Sequence, residues 1–344
     1  MSTAPSPPYP SGPRPSAIAP ISQAYDRMVE VLFRPFDLGK WLGLGLCAWL
    51  ALLGQGGGST PSVGSNFENR VSTSTSVEST TTTAEDLQRS LDEAKDWLAE
   101  HAPALWVAGG LAFALIATLL LIVTWLSSRG QMMFIDGVVR NRGEVVEPWS
   151  RLGPLANSLF GFRVIVGLVA LVVMTAPLAL ALMHVWEEGF TGLGPETLLV
   201  PTVLLTFLFW LAAGMVFGLV ALTVNDFVAP LMWLRRQSVV DAWRELRALL
   251  SANLGTFLVF LLVRILLSVT LGVVIVLATC LTCCVAALPY IGTVLLLPLH
   301  VFLRAYSLSF LGQFGRDYAP LAPARETPVP AVPTQPPPTG TSRP

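Results

Sequence analysis

Long apolar runs alternate along the chain with shorter stretches in which apolar residues recur at helical spacing. Six runs read as membrane-crossing helices, since a bilayer core of about 30 Å takes about 20 residues: 38–53, 104–126, 159–185, 197–224, 254–288 and 291–311. The first is short and carries Gly39, Gly43 and Gly45. Pro103 opens the second at a first-turn position, where proline is tolerated. Pro177 lies inside the third, and Pro298 predicts a kink in the sixth. The fifth is longer than a straight span needs, so it is expected to tilt or to begin in the interface. Ahead of the fifth run, Val239, Val240, Trp243, Leu246, Leu249 and Leu250 fall on one side of a helix, with Arg235, Arg236, Asp241, Arg244 and Arg247 on the other.

That amphipathic segment has a counterpart. Residues 142–161 (RGEVVEPWSRLGPLANSLFG) align without gaps on 236–255 (RQSVVDAWRELRALLSANLG). Arg142 matches Arg236, Trp149 matches Trp243 and Leu152 matches Leu246, and Glu147 falls opposite Asp241. Each copy precedes a pair of apolar runs, and residues 22–36 echo it more weakly ahead of the first. The expected architecture is therefore all-α: six transmembrane helices built as three repeats of an interfacial amphipathic helix plus a transmembrane hairpin. In such a unit the Trp/Leu face meets the acyl boundary and Arg faces anionic headgroups. Trp41, Trp149, Trp243, Arg142 and Arg236 are the interfacial, lipid-facing candidates. Such helices either bind lipid or simply anchor each hairpin.

Composition agrees with a membrane class. Charged residues are 12% of the chain, about half the share of a soluble domain, and hydrophobic ones 53%. Residues 1–20 hold seven prolines and 319–344 hold nine of the chain's 27, so both ends are expected to be disordered tails flanking a membrane domain over 21–318. The C-terminal PxxP spacings offer a groove-type recognition domain something to dock on. Residues 1–20 lack an apolar run, so no cleavable signal peptide is expected and the first span serves as its own insertion signal.

Charge sets orientation. The 55–102 and 184–196 loops hold three basic residues against eleven acidic ones, whereas the ends and the other loops hold seventeen against eleven. The positive-inside rule then puts both termini in the cytoplasm of a prokaryotic inner membrane and the Ser/Thr-rich 55–102 loop outside. Inside that loop Thr82 and Glu85 have capping-box spacing, ahead of an apolar stripe through Leu87, Leu91, Ala94 and Leu98. A net charge of −1 gives no attraction to nucleic acid.

Ionisable groups inside spans are the default functional hint in a membrane protein. Asp226 closes span four, Arg163 begins span three, and Arg264 lies about ten residues into span five, where it can snorkel or pair with Asp226. His300 and Arg304, four apart, share a face of span six. Cys280, Cys283 and Cys284 lack the second ligand pair of a zinc site, and His184 with Glu187 and Glu188 is a similarly thin cluster. No metal and no cofactor are expected. The chain shows no HExxH, GxSxG or Walker glycine loop. Gly214 and Gly218 form a GxxxG motif, for close helix contact within the chain or in a dimer.

PFDLGKWLGLGL (35–46), with the glycines of 54–58, resembles an uncharacterised prokaryotic family of multi-pass membrane proteins that carries a Pro-Phe-Asp-x-Gly-[Lys/Arg]-Trp-Leu motif. NDFVAPLMWLRRQSVVDAW (225–243) looks like that family's second hallmark. A broader likeness extends to the non-catalytic membrane-domain part of glycerophosphodiester phosphodiesterase-type proteins. The resemblance covers about 21–318 and implies the architecture but no activity. In local terms, Pro35 ends one helix, Asp37 can cap the next, Lys40 and Trp41 anchor at headgroups, and the glycines admit a neighbour closely. The sequence points to a non-enzymatic protein that organises or assists other membrane components, with lipids and tail-docking proteins as partners. The alternative is a transporter or channel for a lipid or small apolar solute.

Overall fold

The structure, a computed structural model, describes residues 15–53, 84–188, 199–282 and 288–321. Most of the two proline-rich ends, most of the 55–102 loop with Thr82, and Cys283 and Cys284 lie outside them. The described residues are 87% helix with no strand. The helices are α1 (Pro20–Phe33), α2 (Leu38–Leu52), α3 (Ala84–Arg140), α4 (Val146–Arg151), α5 (Gly153–Glu188) and α6 (Leu199–Thr223). A π-helical turn, Val224–Val228, leads into α7 (Ala229–Arg235), followed by α8 (Val239–Ala252), α9 (Leu254–Leu281), α10 (Ile291–Leu295) and α11 (Leu297–Gly312).

Among the described residues four helical stretches are long and apolar enough to cross a membrane: Glu100–Arg140, Gly153–Leu180, Leu204–Arg235 and Leu254–Leu281. The other two expected spans differ. Helix α2 has 15 residues, about 22 Å at 1.5 Å per residue, short of a bilayer core. The sixth is broken at Leu296 into α10 and α11. Pro298 does not kink a continuous helix; it sits in the first turn of α11. Its missing N–H deprives the Val294 carbonyl of its helical donor, and the Trp41 indole donates there instead, at 3.0 Å. Trp41→Phe removes that donor, so a loss of about 0.5–1.5 kcal/mol, the net worth of one hydrogen bond, is expected, read as a lower unfolding midpoint in detergent.

Pro103 also behaves differently from the sequence expectation. It lies within α3, which runs unbroken for 57 residues; the loop helix and the second span are one rod of about 85 Å. The two copies of the repeat diverge too. Helix α4 stops at Arg151, because Pro154 cannot extend it and falls in the first turn of α5. In the second copy Ala248 stands at the matching position, and α8 continues to Ala252. Helix α2 starts as expected, with the Asp37 carboxylate accepting from the Gly39 and Lys40 amides at 2.8 and 3.4 Å.

Burial divides the bundle into two tiers. Residues 106–122, 165–180, 204–219 and 265–281 of the long helices are apolar and largely exposed, the signature of a lipid-facing surface. Below them, residues 127–138 of α3, the start of α5, the π turn with α7, and α11 pack into a dense core. An aromatic cluster fills it: Phe227, Phe257, Phe260, Tyr306, Phe310 and Phe314, with ring centroids 4.3–5.9 Å apart in the contacting pairs. The apolar face of α8 joins this core through Val239, Ala242, Leu246 and Leu249, and α1 contributes Ala24 to it.

These faces therefore meet protein where the sequence reading gave them lipid. Trp243 is half-buried against Phe162, Trp149 stands edge-on to Trp125, and the Arg129 guanidinium lies about 5 Å from both rings of that pair. Trp41 packs against Phe33 and Phe36. Arg142 and Arg236 are exposed, Arg236 in a left-handed conformation that ends α7. Gly43 and Gly45 do admit close neighbours: a methyl on Gly43 would overlap the Gly143 carbonyl, and one on Gly45 would reach Val294 Cγ2 at 2.6 Å. Gly214 and Gly218 meet nothing within 4 Å, so the expected intrachain contact at the GxxxG motif is not made among the described residues.

Candidate functional site

Where the two tiers meet, the polar residues of the long helices converge. Each lies nine or ten residues from the packed end of its helix: Gln131 from Arg140, Asp226 from Arg235, Arg163 from Gly153 and Arg264 from Leu254. At 1.5 Å per residue this puts all four about 15 Å in, at one level. The side chains connect accordingly. Arg163 donates to Ser127 and Ser128 at 3.3 and 3.2 Å, to Asn225 Oδ1 at 2.8 Å and to Gln131 Oε1. Arg264 Nε donates to Asp226 Oδ2 at 2.8 Å, and Arg264 also reaches Ser268.

The π turn organises this layer. The Ala229 amide bonds back to Val224 O, one residue further than in an α-helix. The next amide in that register belongs to Pro230, which has no hydrogen. The Asn225 carbonyl is thus left without a helical donor, and Arg304 Nη1 takes it at 2.6 Å with Gln131 Nε2 at 3.3 Å. The side chain and the carbonyl of Asn225 are therefore engaged by two different guanidinium groups.

Beside the turn lies a cavity of about 240 Å³. Its polar lining is Asn225, Asp226, Arg264, His300 and Arg304; Ala48, Leu52, Phe134, Leu222 and Leu303 supply most of the apolar wall. Helix α11 presents His300 and Arg304 together because they are one turn apart. Arg304 is 8% exposed, and its guanidinium lies 5.9 Å from the Phe134 ring. His300 Nε2 and Arg304 Nε are buried and make no hydrogen bond.

The charge balance is uneven. The walls hold one carboxylate, Asp226, which is bonded to Arg264, and a second guanidinium, Arg304, whose bond is to a neutral carbonyl. Arg163, behind Asn225, has only neutral partners. A buried cation is costly unless an anion or a full set of hydrogen bonds compensates it. The arrangement is suited to receive an anion. No group of three His, Cys, Asp or Glu is placed to hold a metal among the described residues.

The structure thus brings Asp226, Arg264, His300 and Arg304 into one cavity, while Trp41, Trp149, Trp243, Arg142 and Arg236 lie elsewhere in the packed tier. Sequence reading missed Gln131, Ser127 and Ser128. The signal was there: SSRGQ (127–131) is an abrupt polar patch closing an apolar run. In the sequence Asn225 stands out only as the first residue of the 225–243 hallmark.

A family of unknown function, DUF7544, matches residues 15–297, and the chain belongs to it. The matched stretch takes in Arg163, Asn225, Asp226 and Arg264 and ends ahead of His300 and Arg304. Neither a curated protein nor a solved structure matches the chain.

Proposed function

We propose that this member of the DUF7544 family is a six-pass protein of a prokaryotic cytoplasmic membrane that acts by binding and not by catalysis. It serves as an accessory protein that organises or assists other membrane components, and the cavity beside the π turn is where it takes up an anion. One observation carries this reading: Arg304 lines the cavity and is buried, its Nε makes no hydrogen bond, and the lining carboxylate, Asp226, is already bonded to Arg264. The test is purification in native lipid particles followed by mass spectrometry of what co-purifies. The wild type retains an anionic species in stoichiometric amount, and Arg304→Gln retains several-fold less. Equal retention by both would contradict the reading.

Three contacts support even passes with both ends on one side. Ser16 and Gln313 bond to each other at 2.7 and 2.8 Å, Arg27 donates to the Val138 and Val139 carbonyls at the end of α3, and Arg235 lies over the Tyr318 ring. The Arg-bearing turns and the described segments nearest the two ends thus gather at one face, as the positive-inside rule requires of a cytoplasmic side. In this reading α2 and the broken α10–α11 are the short first and sixth passes, and α1, α4 and α8 are the lead helices of three related units. Cysteines at Ser79 and Ser238 then label from opposite sides of the membrane; labelling from one side would sink the six-pass topology.

A transporter of an anionic amphiphile is the second reading. The π turn and the break at Leu296 flank the cavity, and interrupted helices are where secondary transporters hold their cargo. Proteoliposome flux above that of protein-free vesicles would favour it; no excess flux would leave the accessory role.

A further inference from the structure

We propose that the anion held in the cavity is a phosphate group, bound by Arg304 and His300 against the apolar wall. This rests on the anion-binding reading above and specifies its chemistry. The two buried nitrogens without partners, His300 Nε2 and Arg304 Nε, stand one turn apart on α11, and Arg264 approaches from α9. Two guanidinium groups, Arg304 on α11 and Arg264 on α9, line the cavity together with the His300 imidazole, which suits a tetrahedral group with oxygens in several directions, and guanidinium is the preferred partner of phosphate. A planar carboxylate would be satisfied by one guanidinium edge.

Charge fits the same ligand. Arg264 and Arg304 against Asp226 leave the wall at +1, and Arg163 behind Asn225 raises the layer to +2. A phosphodiester or phosphomonoester supplies one to two negative charges. Leu52, Leu222 and Leu303 offer an apolar body a place beside the phosphate, and the exposed apolar tier begins immediately above. Lipid headgroup and free phosphate share the recognised chemistry, and the experiment separates them.

Full-length protein, stripped of lipid by extended washing in neutral detergent, is titrated with inorganic phosphate, phosphatidylglycerol, phosphatidylcholine or oleate. Bound mass is followed by native mass spectrometry and stabilisation by the thermal midpoint. The expected result is one phosphatidylglycerol bound per chain, with affinity about tenfold or more weaker in both Arg304→Gln and His300→Ala, the scale of a lost charge-assisted bond. Two variants guard against a folding defect in either one, and competition between ligands on the wild type needs no variant. Binding of inorganic phosphate that displaces phosphatidylglycerol identifies the phosphate itself as sufficient; binding of phosphatidylglycerol without it identifies the lipid headgroup. Both outcomes support the proposal. Binding of oleate alone overturns phosphate but keeps an anion site, and binding of no anion overturns both.

Discussion

Asp226→Asn lowers the unfolding free energy of the protein in detergent by about 3–5 kcal/mol, the usual cost of removing one partner of a buried ion pair. The carboxylate is 4% exposed and takes the Arg264 Nε at 2.8 Å, so the neutral amide strands a guanidinium whose side chain is itself only 15% exposed. Exchanging both partners for apolar residues, Asp226→Leu with Arg264→Met, costs much less than the single change, because no uncompensated charge is left. Denaturant or thermal unfolding of the three variants checks the order. The same Asp226→Asn change raises the positive charge of the cavity, so anion affinity increases while stability falls. A variant that lost both together would show Asp226 to be part of the binding surface.

Asp136→Asn has the second large effect, about 3 kcal/mol, at the lower end of the same range. Asp136 is 3% exposed and is the hub of the packed tier. Arg151 Nη2 reaches both of its oxygens at 2.8 Å, the Trp233 indole donates at 2.9 Å, and Arg140 lies at 3.2 Å. It ties α3 to α4 and to α7. The cost stays near the lower end because Arg140 and Arg151 are partly exposed and can turn to solvent once released. Since Asp136 is not among the cavity-lining residues, this variant loses stability with anion affinity unchanged, which separates the structural carboxylate from the one beside the site.

The hydrophobic pattern disclosed the long apolar helices, the Asp37 cap and the pairing range of Arg264 with Asp226, because these follow from residue type and spacing. It could not say what covers an apolar face. Periodicity marks Val239, Leu246 and Leu249 as one side of α8, but lipid and the Phe227–Phe260 cluster are equivalent partners for such a face; only the fold chooses. Proline effects were legible in kind and mistaken in place. The sequence pattern puts Pro103 at a helix start, and it lies inside α3. Pro298 was read as a kink and opens a new helix, since Trp41 is positioned to satisfy Val294.

The site shows the same boundary. Asp226, Arg264, His300 and Arg304 stand out because charge in an apolar run is rare. Asp226 and Arg264 meet because they lie equally far from the packed ends of their helices, as Gln131 and Arg163 do, and Arg304 joins them because Pro230 frees the Asn225 carbonyl. That carbonyl is a backbone feature with no residue-type signature, so Arg304 had no visible partner in the sequence. Gln131, Ser127 and Ser128 were passed over because neutral polar residues at the end of a span are ordinary; their role appears only when Arg163 reaches them from α5.

The most direct test of the anion site is a density map of the full-length protein in native lipid particles, at a resolution that shows side chains around the π turn. Non-protein density is expected in the cavity, in hydrogen-bond contact with Arg304 and His300. A cavity closed by the chain itself, with a carboxylate from another part of the protein seated on Arg304, would contradict it.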